Sequence, residues 1–83
     1  MSNARKILNK MRQNHQNWRI EHFETVASQY KVMVRKGGGG SHVIFDHPKW
    51  VELLSVPAKR PIKPIYVKKF LALIDILENT NDS

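Results

Sequence analysis

The segment 31–46, KVMVRKGGGGSHVIFD, carries the pattern that decides the fold. Its first six residues place Val32 and Val34 at alternate positions, and its last five residues place Val43 and Phe45 in the same way. Alternation with a period of two is typical of a strand with one buried face. The glycine run and Ser41 between the two strands therefore predict the loop of a hairpin.

The glycine run has a second interpretation, because GGGGS is also the usual composition of an engineered flexible linker. Such a linker joins two units that each fold alone. Here residues 1–36 offer helices and one strand, while residues 42–83 offer two strands and a helix, so neither part forms a core by itself. We therefore interpret the glycines as native in position.

Three helices and a third strand are predicted around the hairpin. Helical spacing indicates a helix over residues 3–13, capped by Asn3, and a second over about 18–30 after an interruption at NHQN. VELLSVP at 51–57 predicts the third strand, and Pro64 begins a final helix because proline is accepted in a first turn. The apolar positions that support these helices are Ile7, Leu8 and Met11, then Trp18, Ile20, Phe23, Val26, Ala27 and Tyr30, then Val67, Phe70, Leu71, Ile74 and Leu77.

This order of elements predicts one α+β domain over residues 1–83, in which helices pack on one face of a three-stranded antiparallel meander. With 83 residues and 41% hydrophobic content, the chain can bury one modest core. It contains no cysteine, which excludes a disulfide framework and a thiolate metal site. No stretch is apolar enough for a signal peptide or a membrane span, so a cytoplasmic location without membrane contact is expected.

The charge of the chain favours a polyanionic partner. Fourteen Lys and Arg residues oppose seven Asp and Glu residues, which gives a formal charge of +7 and a pI near 10.1. Residues 59–69 carry five basic side chains and no acidic one. Each phosphate that such a surface neutralises releases condensed counterions, which favours nucleic acid. The alternative partner is an acidic protein.

The motifs and their order resemble the HicA toxin family. A helix and a strand are followed by GSHVIF, in which Gly40, Ser41 and His42 match the family's Gly-Ser/Thr-His motif at the start of the second strand. The Val-Pro that follows the third strand matches residues 56–57, and the Lys-Pro that opens the last helix matches residues 63–64. The resemblance extends over about residues 18–77.

The resemblance implies a fold like that of a double-stranded-RNA-binding domain and the activity of a small endoribonuclease that cleaves mRNA. It also implies His42 as the catalytic residue, Gly40 and Ser41 as its supporting loop, and a HicB-type antitoxin protein that covers His42. Two features depart from the family: the glycine loop is longer, and a helix over residues 3–13 precedes the family's first helix. The longer loop bears on substrate fit, and the added helix extends the core or the partner surface.

The residues themselves fit RNA cleavage through the 2′-hydroxyl. That reaction needs a base, an acid and stabilisation of charge at phosphorus, and a histidine suits the first two roles because its ordinary pKa lies near neutrality. Glycines let a phosphate approach backbone N–H groups closely. We expect no metal and no small-molecule cofactor, since no cysteine–histidine set or carboxylate cluster is visible. The basic residues predicted to bind RNA are Arg35, Lys36, Lys59, Arg60, Lys63, Lys68 and Lys69.

Alternatives remain at each of these positions. His42 taken alone could be an ordinary polar strand residue, His47 is predicted to lie in a turn, and His15 and His22 at the surface. Trp50 and Tyr66 border basic loops and could belong either to the core or to a surface that stacks on bases. Two other functions therefore stay open: a non-catalytic RNA-binding module of the same fold, and a protein-interaction domain that binds an acidic partner.

Overall fold

The computed structural model describes residues 3–37, 41–59 and 61–80. These residues form an α+β fold of three helices and a three-stranded antiparallel sheet, which confirms the predicted class. The elements, in chain order, are α1 Asn3–Gln13, α2 Ile20–Gln29, β1 Met33–Lys36, β2 His42–Asp46, β3 Leu54–Pro57 and α3 Pro64–Thr80.

The sheet is a meander in the order β1-β2-β3. Val34 lies opposite Phe45, and Phe45 lies opposite Leu54, so these three residues share one face of the sheet. Arg35, Ile44 and Ser55 are paired in the same way and share the other face. We call the first the helix face, where the side chains of Val43, Phe45, Leu54 and Val56 are buried. We call the second the open face; it includes Arg35, His42, Ile44 and Ser55, which are exposed or half-buried.

Three phenylalanines, one each from α2, β2 and α3, form the centre of the core. The ring centroids of Phe23 and Phe70 are 4.7 Å apart, and those of Phe45 and Phe70 are 5.5 Å apart. All three side chains are fully buried. The apolar positions predicted for α3 are confirmed, since Val67, Phe70, Leu71, Ile74 and Leu77 are all buried.

The helix α1 packs against both α2 and α3 and buries Ala4, Leu8 and Met11. Polar contacts at its end fix it to the last turns of α3. The Arg12 guanidinium lies 2.7 Å from Asp75 and 2.8 Å from Glu78. The Tyr30 hydroxyl, just after α2, donates to the other oxygen of Glu78 at 2.5 Å. These contacts join all three helices at one end of the molecule.

The prediction for the start of β1 was wrong by two residues, because a helix C-cap occupies Lys31 and Val32. Lys31 has a positive φ of 61°, the Val32 N–H donates to the Ala27 carbonyl, and the Lys31 N–H donates to Ser28. This is the Schellman pattern, in which the residue after the left-handed position packs onto the helix. Val32 is therefore buried as part of the cap, whereas Val34, expected on the buried face, is 39% exposed on the edge strand.

Two other predicted boundaries differ from the structure. The second helix begins at Ile20, and Trp18 instead forms an isolated antiparallel bridge with Ile62. The third strand begins at Leu54 rather than at 51, because a turn precedes it in which the Trp50 N–H donates to the His47 carbonyl. Trp50 is buried, and its indole N–H donates to the Leu73 carbonyl, so this residue belongs to the core.

Among the described residues, no helix combines the length and the apolar content needed to cross a bilayer.

Candidate functional site

His42 is the first residue of β2 and lies on the open face of the sheet, with its side chain exposed. Backbone pairing fixes its position on both sides. Its carbonyl accepts a hydrogen bond of 2.9 Å from the Gly37 N–H, and its cross-strand partner in β3 is Pro57. A strand that is paired on both sides therefore carries the imidazole, which is accessible to solvent.

Ser41 connects the glycine run to the end of β3. Its carbonyl accepts a hydrogen bond of 2.8 Å from the Ala58 N–H. Its hydroxyl lies 3.5 Å from Nδ1 of His42, at the long limit for a hydrogen bond. The contact places Ser41 where it can orient the ring of His42.

The glycine loop is described only at its first residue. Gly40, predicted to support His42, lies outside the described residues, as does Arg60, predicted to bind RNA. A Cβ atom at Gly37 would lie 3.4 Å from Cδ1 of Ile44 and 3.6 Å from Cβ of His42. Gly37 therefore leaves space beside His42 that any side chain would begin to fill.

A groove begins at Pro57, the cross-strand partner of His42. It has a volume of about 630 Å³, and two of the predicted RNA-binding residues, Lys59 and Lys63, lie in its wall. That the basic junction between β3 and α3 lies near the glycine loop stays a prediction, because residues 38–40 and 60 lie outside the described residues. The full lining is Gln16, Asn17, Pro57, Lys59, Pro61, Ile62, Lys63, Pro64 and Tyr66.

The other predicted basic residues are placed differently. Arg35 is on the open face, opposite Ile44 and on the same side of the sheet as His42. Lys36 pairs with Val43 and so belongs to the opposite side, although it is exposed. Lys68 and Lys69 are exposed on α3, and Nζ of Lys69 lies 6.0 Å from the centre of the Tyr66 ring. Arg35 thus shares the open face with His42, and Lys59 and Lys63 line the groove that begins at Pro57.

The turn between α1 and α2 is part of this region, which sequence reasoning missed. Gln16 and Asn17 line the groove, and the Ile62 N–H donates to the Trp18 carbonyl at 2.8 Å. Residues 18 and 62 are 44 positions apart, so no local pattern could indicate the bridge. The signal that could have drawn attention to the turn is its two asparagines and one histidine in NHQN, since asparagine adopts left-handed backbone conformations readily.

Two of the other three histidines accept local backbone hydrogen bonds. The His47 ring accepts from the Lys49 N–H at 3.0 Å within the turn before β3, as its predicted turn position requires. His22 lies in the first turn of α2, and its Nδ1 accepts from the Arg19 N–H at 3.1 Å. Over residues 3–37, 41–59 and 61–80, no three His, Cys, Asp or Glu side chains lie close enough together to hold a metal ion.

Comparisons of the chain with protein-family models, with curated proteins and with solved structures find no match.

Proposed function

We propose that this chain is a HicA-like toxin of a type II toxin–antitoxin system and cleaves mRNA as a metal-independent endoribonuclease. The observation that carries the proposal is the position of His42: exposed at a strand start on the open face, one strand away from a groove that contains two lysines. The helix–three strands–helix order from α2 to α3 supports a fold like that of a double-stranded-RNA-binding domain, with α1 as an addition.

In the proposed reaction, His42 takes the proton of a ribose 2′-hydroxyl, and the 2′-oxygen attacks the adjacent phosphorus. The P–O2′ bond forms and the P–O5′ bond breaks, which leaves a 2′,3′-cyclic phosphate on one fragment and a 5′-hydroxyl on the other. Water or a lysine supplies the proton that the 5′-oxygen needs. Arg35 and Lys59 provide positive charge near the site, where it stabilises the charge that develops at phosphorus.

The proposed reaction does not involve a divalent ion, and cleavage should therefore persist in excess EDTA. The motive is the donor set, because the described residues around His42 contribute lysines, a serine and backbone groups rather than carboxylates. Loss of activity in EDTA, followed by recovery with one divalent ion, would contradict this expectation.

The toxin would be neutralised by a HicB-type antitoxin that covers His42. The open face supports this part of the proposal, since Arg35, His42 and Ser55 are exposed on it and a partner can cover them without disturbing the core.

The test is the His42→Ala variant. Expression of the native chain alone should arrest bacterial growth, and the substitution should relieve the arrest and lower RNA cleavage by about 10²- to 10⁴-fold, the usual contribution of an acid–base group. The circular dichroism spectrum should not change, because the side chain is exposed. His47→Asn is the matched control, since asparagine keeps an acceptor for the Lys49 N–H. Equal RNA decay with folded native and His42→Ala proteins would refute the catalytic assignment.

A second candidate is a non-catalytic RNA-binding module. It is favoured by one observation: among the described residues, the side chain of His42 has Ser41 as its only hydrogen-bonding neighbour, and that contact is 3.5 Å long. RNA binding by the purified native chain without any cleavage would establish this second function.

A further inference from the structure

The groove beside Pro57 has one wall made by the ordered turn between α1 and α2. Within this turn Oδ1 of Asn14 accepts from the Gln16 N–H at 3.1 Å, and the Trp18 indole N–H donates to the Asn14 carbonyl at 2.7 Å. Asn17 has a positive φ of 67°. The backbone of the turn is thereby fixed, and Gln16 and Asn17 line the groove.

The opposite wall is the proline-rich segment that leads into α3. The bridge between Trp18 and Ile62 joins the two walls at a backbone hydrogen bond of 2.8 Å, and Ile62 is buried. Tyr66, in the first turn of α3, is half-buried and is one of the residues that line the groove. Main-chain pairing therefore fixes the two walls of the groove relative to each other at the bridge.

The lining combines three kinds of group that a nucleotide needs. Tyr66 and the neighbouring prolines offer flat apolar surface, on which a base of any sequence can stack. Lys59 and Lys63 offer positive charge for phosphate, and the amides of Gln16 and Asn17 offer both donors and acceptors for the edge of a base. A volume of about 630 Å³ lies within the usual range for small-ligand sites, about 300–1,000 Å³.

The groove also lies close enough to His42 for one RNA strand to contact both. Pro57 belongs to its wall and is the cross-strand partner of His42, and Cβ atoms of such partners are about 4.5–5.5 Å apart. An RNA strand with a phosphate at His42 would thus reach the groove with its adjoining nucleotide.

We propose that this groove is a subsite for a single unpaired nucleotide next to the cleaved bond, in which Tyr66 stacks on the base and Gln16 and Asn17 read its edge. The proposal rests on the proposed ribonuclease function, which places the cleaved phosphate of the RNA at His42. It assigns a role in substrate selection to the turn between α1 and α2, a segment that carries no residue of the predicted site. The substrate class that follows is single-stranded RNA, because a paired base could not enter the groove.

The first test compares two substitutions at Tyr66. The probe is a short RNA with a 2′-deoxyribose at the cleaved position, which binds but cannot be cut. Tyr66→Leu should raise its Kd by roughly 5- to 150-fold, the usual effect of losing one base–aromatic stack, whereas Tyr66→Phe should bind almost as the native chain does. With cleavable RNA, the same loss should appear in KM rather than in kcat. Equal Kd values for Tyr66→Leu and the native chain would overturn the proposal.

The second test uses Asn17→Gly, because glycine accepts the positive φ of this position and the substitution removes only the amide. The native chain should discriminate among probes that differ in the base next to the cleaved position, and the variant should discriminate less. Asn9→Ala, an exposed amide on α1, is the matched control and should leave discrimination unchanged. Unaltered discrimination in Asn17→Gly and in Gln16→Ala would remove the role proposed for the turn.

A measurement on the native chain covers the case in which Tyr66→Leu does not fold. The side-chain amide NMR signals of Gln16 and Asn17 should shift when the deoxy-substituted RNA binds, and that of Asn9 should not. Shifts together with undiminished cleavage by His42→Ala would refute the proposed catalysis and leave the subsite standing. Absent shifts together with loss of cleavage in His42→Ala would overturn the subsite and leave the proposed function standing.

Discussion

The two faces of the sheet differ in what holds their residues in place. On the helix face, Phe45 and Val56 are fully buried and contribute to the same core as Phe23 and Phe70. On the open face, Arg35 and His42 are exposed, and strand pairing fixes the positions of their backbones. Side chains of the helix face therefore determine stability, whereas those of the open face can change with little effect on folding and are free to serve binding or catalysis.

Substitution of Phe70 should give the largest effect on stability. Phe70→Ala removes a ring whose centroid is 4.7 Å from that of Phe23 and 5.5 Å from that of Phe45. The substitution should lower the free energy of unfolding by about 3–5 kcal/mol. Small domains have only about 5–15 kcal/mol in total, so the variant should be close to unfolding at room temperature. Urea denaturation followed by circular dichroism measures the change.

Ser55→Ala, on the open face, is the control for this prediction. Its side chain is exposed, and surface changes of this kind stay within about 0.5 kcal/mol. The distinction between the two faces would be contradicted if Ser55→Ala lost as much stability as Phe70→Ala.

Removal of charge from the groove should have a smaller effect, on binding rather than on folding. The double variant Lys59→Ala, Lys63→Ala should lower the slope of log affinity against log salt by about 0.7 per lost phosphate contact, hence about 1.4 in total, for single-stranded RNA. Phosphate contacts read no sequence, so the affinity should fall equally for RNAs of different sequence. Binding titrations at several salt concentrations measure both quantities.

The matched control for charge is Arg5→Ala, Lys6→Ala, which removes two exposed positive charges from α1. Its salt slope should stay near the native value, because these residues do not line the groove. Identical slopes for the native chain and the Lys59, Lys63 variant would mean that this basic surface faces an acidic protein instead of RNA.

The sequence could predict the elements that depend on local pattern. The bounds of α1 and β2 and the start of α3 agree with the structure, because helical spacing, strand alternation and Pro64 act within a few residues. The start of β1 was wrong because alternation at Val32 and Val34 looks the same whether Val32 belongs to a strand or to a helix cap. Only the positive φ of Lys31 distinguishes a helix cap from a strand here. Glycine at this position would have indicated a cap, whereas lysine does not.

In the candidate site, too, the sequence could predict the features that depend on local pattern but not those that depend on distant contacts. The position of His42 at a strand start follows from the alternation in HVIFD, and the structure agrees. The groove does not follow from any local pattern, since it needs the pairing of Trp18 with Ile62 and of His42 with Pro57. Contacts between residues so distant in the chain are set by tertiary packing, which a single sequence does not reveal.

The hydrogen bond between the Tyr30 hydroxyl and Glu78, which joins the end of α2 to α3, should appear in a pH titration. Burial, and then the hydrogen bond to Glu78, raise the pKa of Tyr30 from its ordinary value of 10.0 to about 12. Since the folded protein favours the neutral phenol, the stability that this group contributes is complete below pH 10.0 and is lost as the pH rises toward about 12.

Tyr66→Phe leaves Tyr30 as the one tyrosine whose ionisation is measured, because the chain contains only two tyrosines. The tyrosinate absorbance of the folded variant should rise near pH 12, and that of the urea-unfolded variant near pH 10.0. Adding Glu78→Gln should lower the pKa of Tyr30 only in part, because burial is the larger cause and glutamine still accepts a hydrogen bond. Ionisation of the folded Tyr66→Phe variant near pH 10.0 would show that Tyr30 is solvated. The end of α2 would then lack the hydrogen bond that joins the Tyr30 hydroxyl to Glu78 of α3.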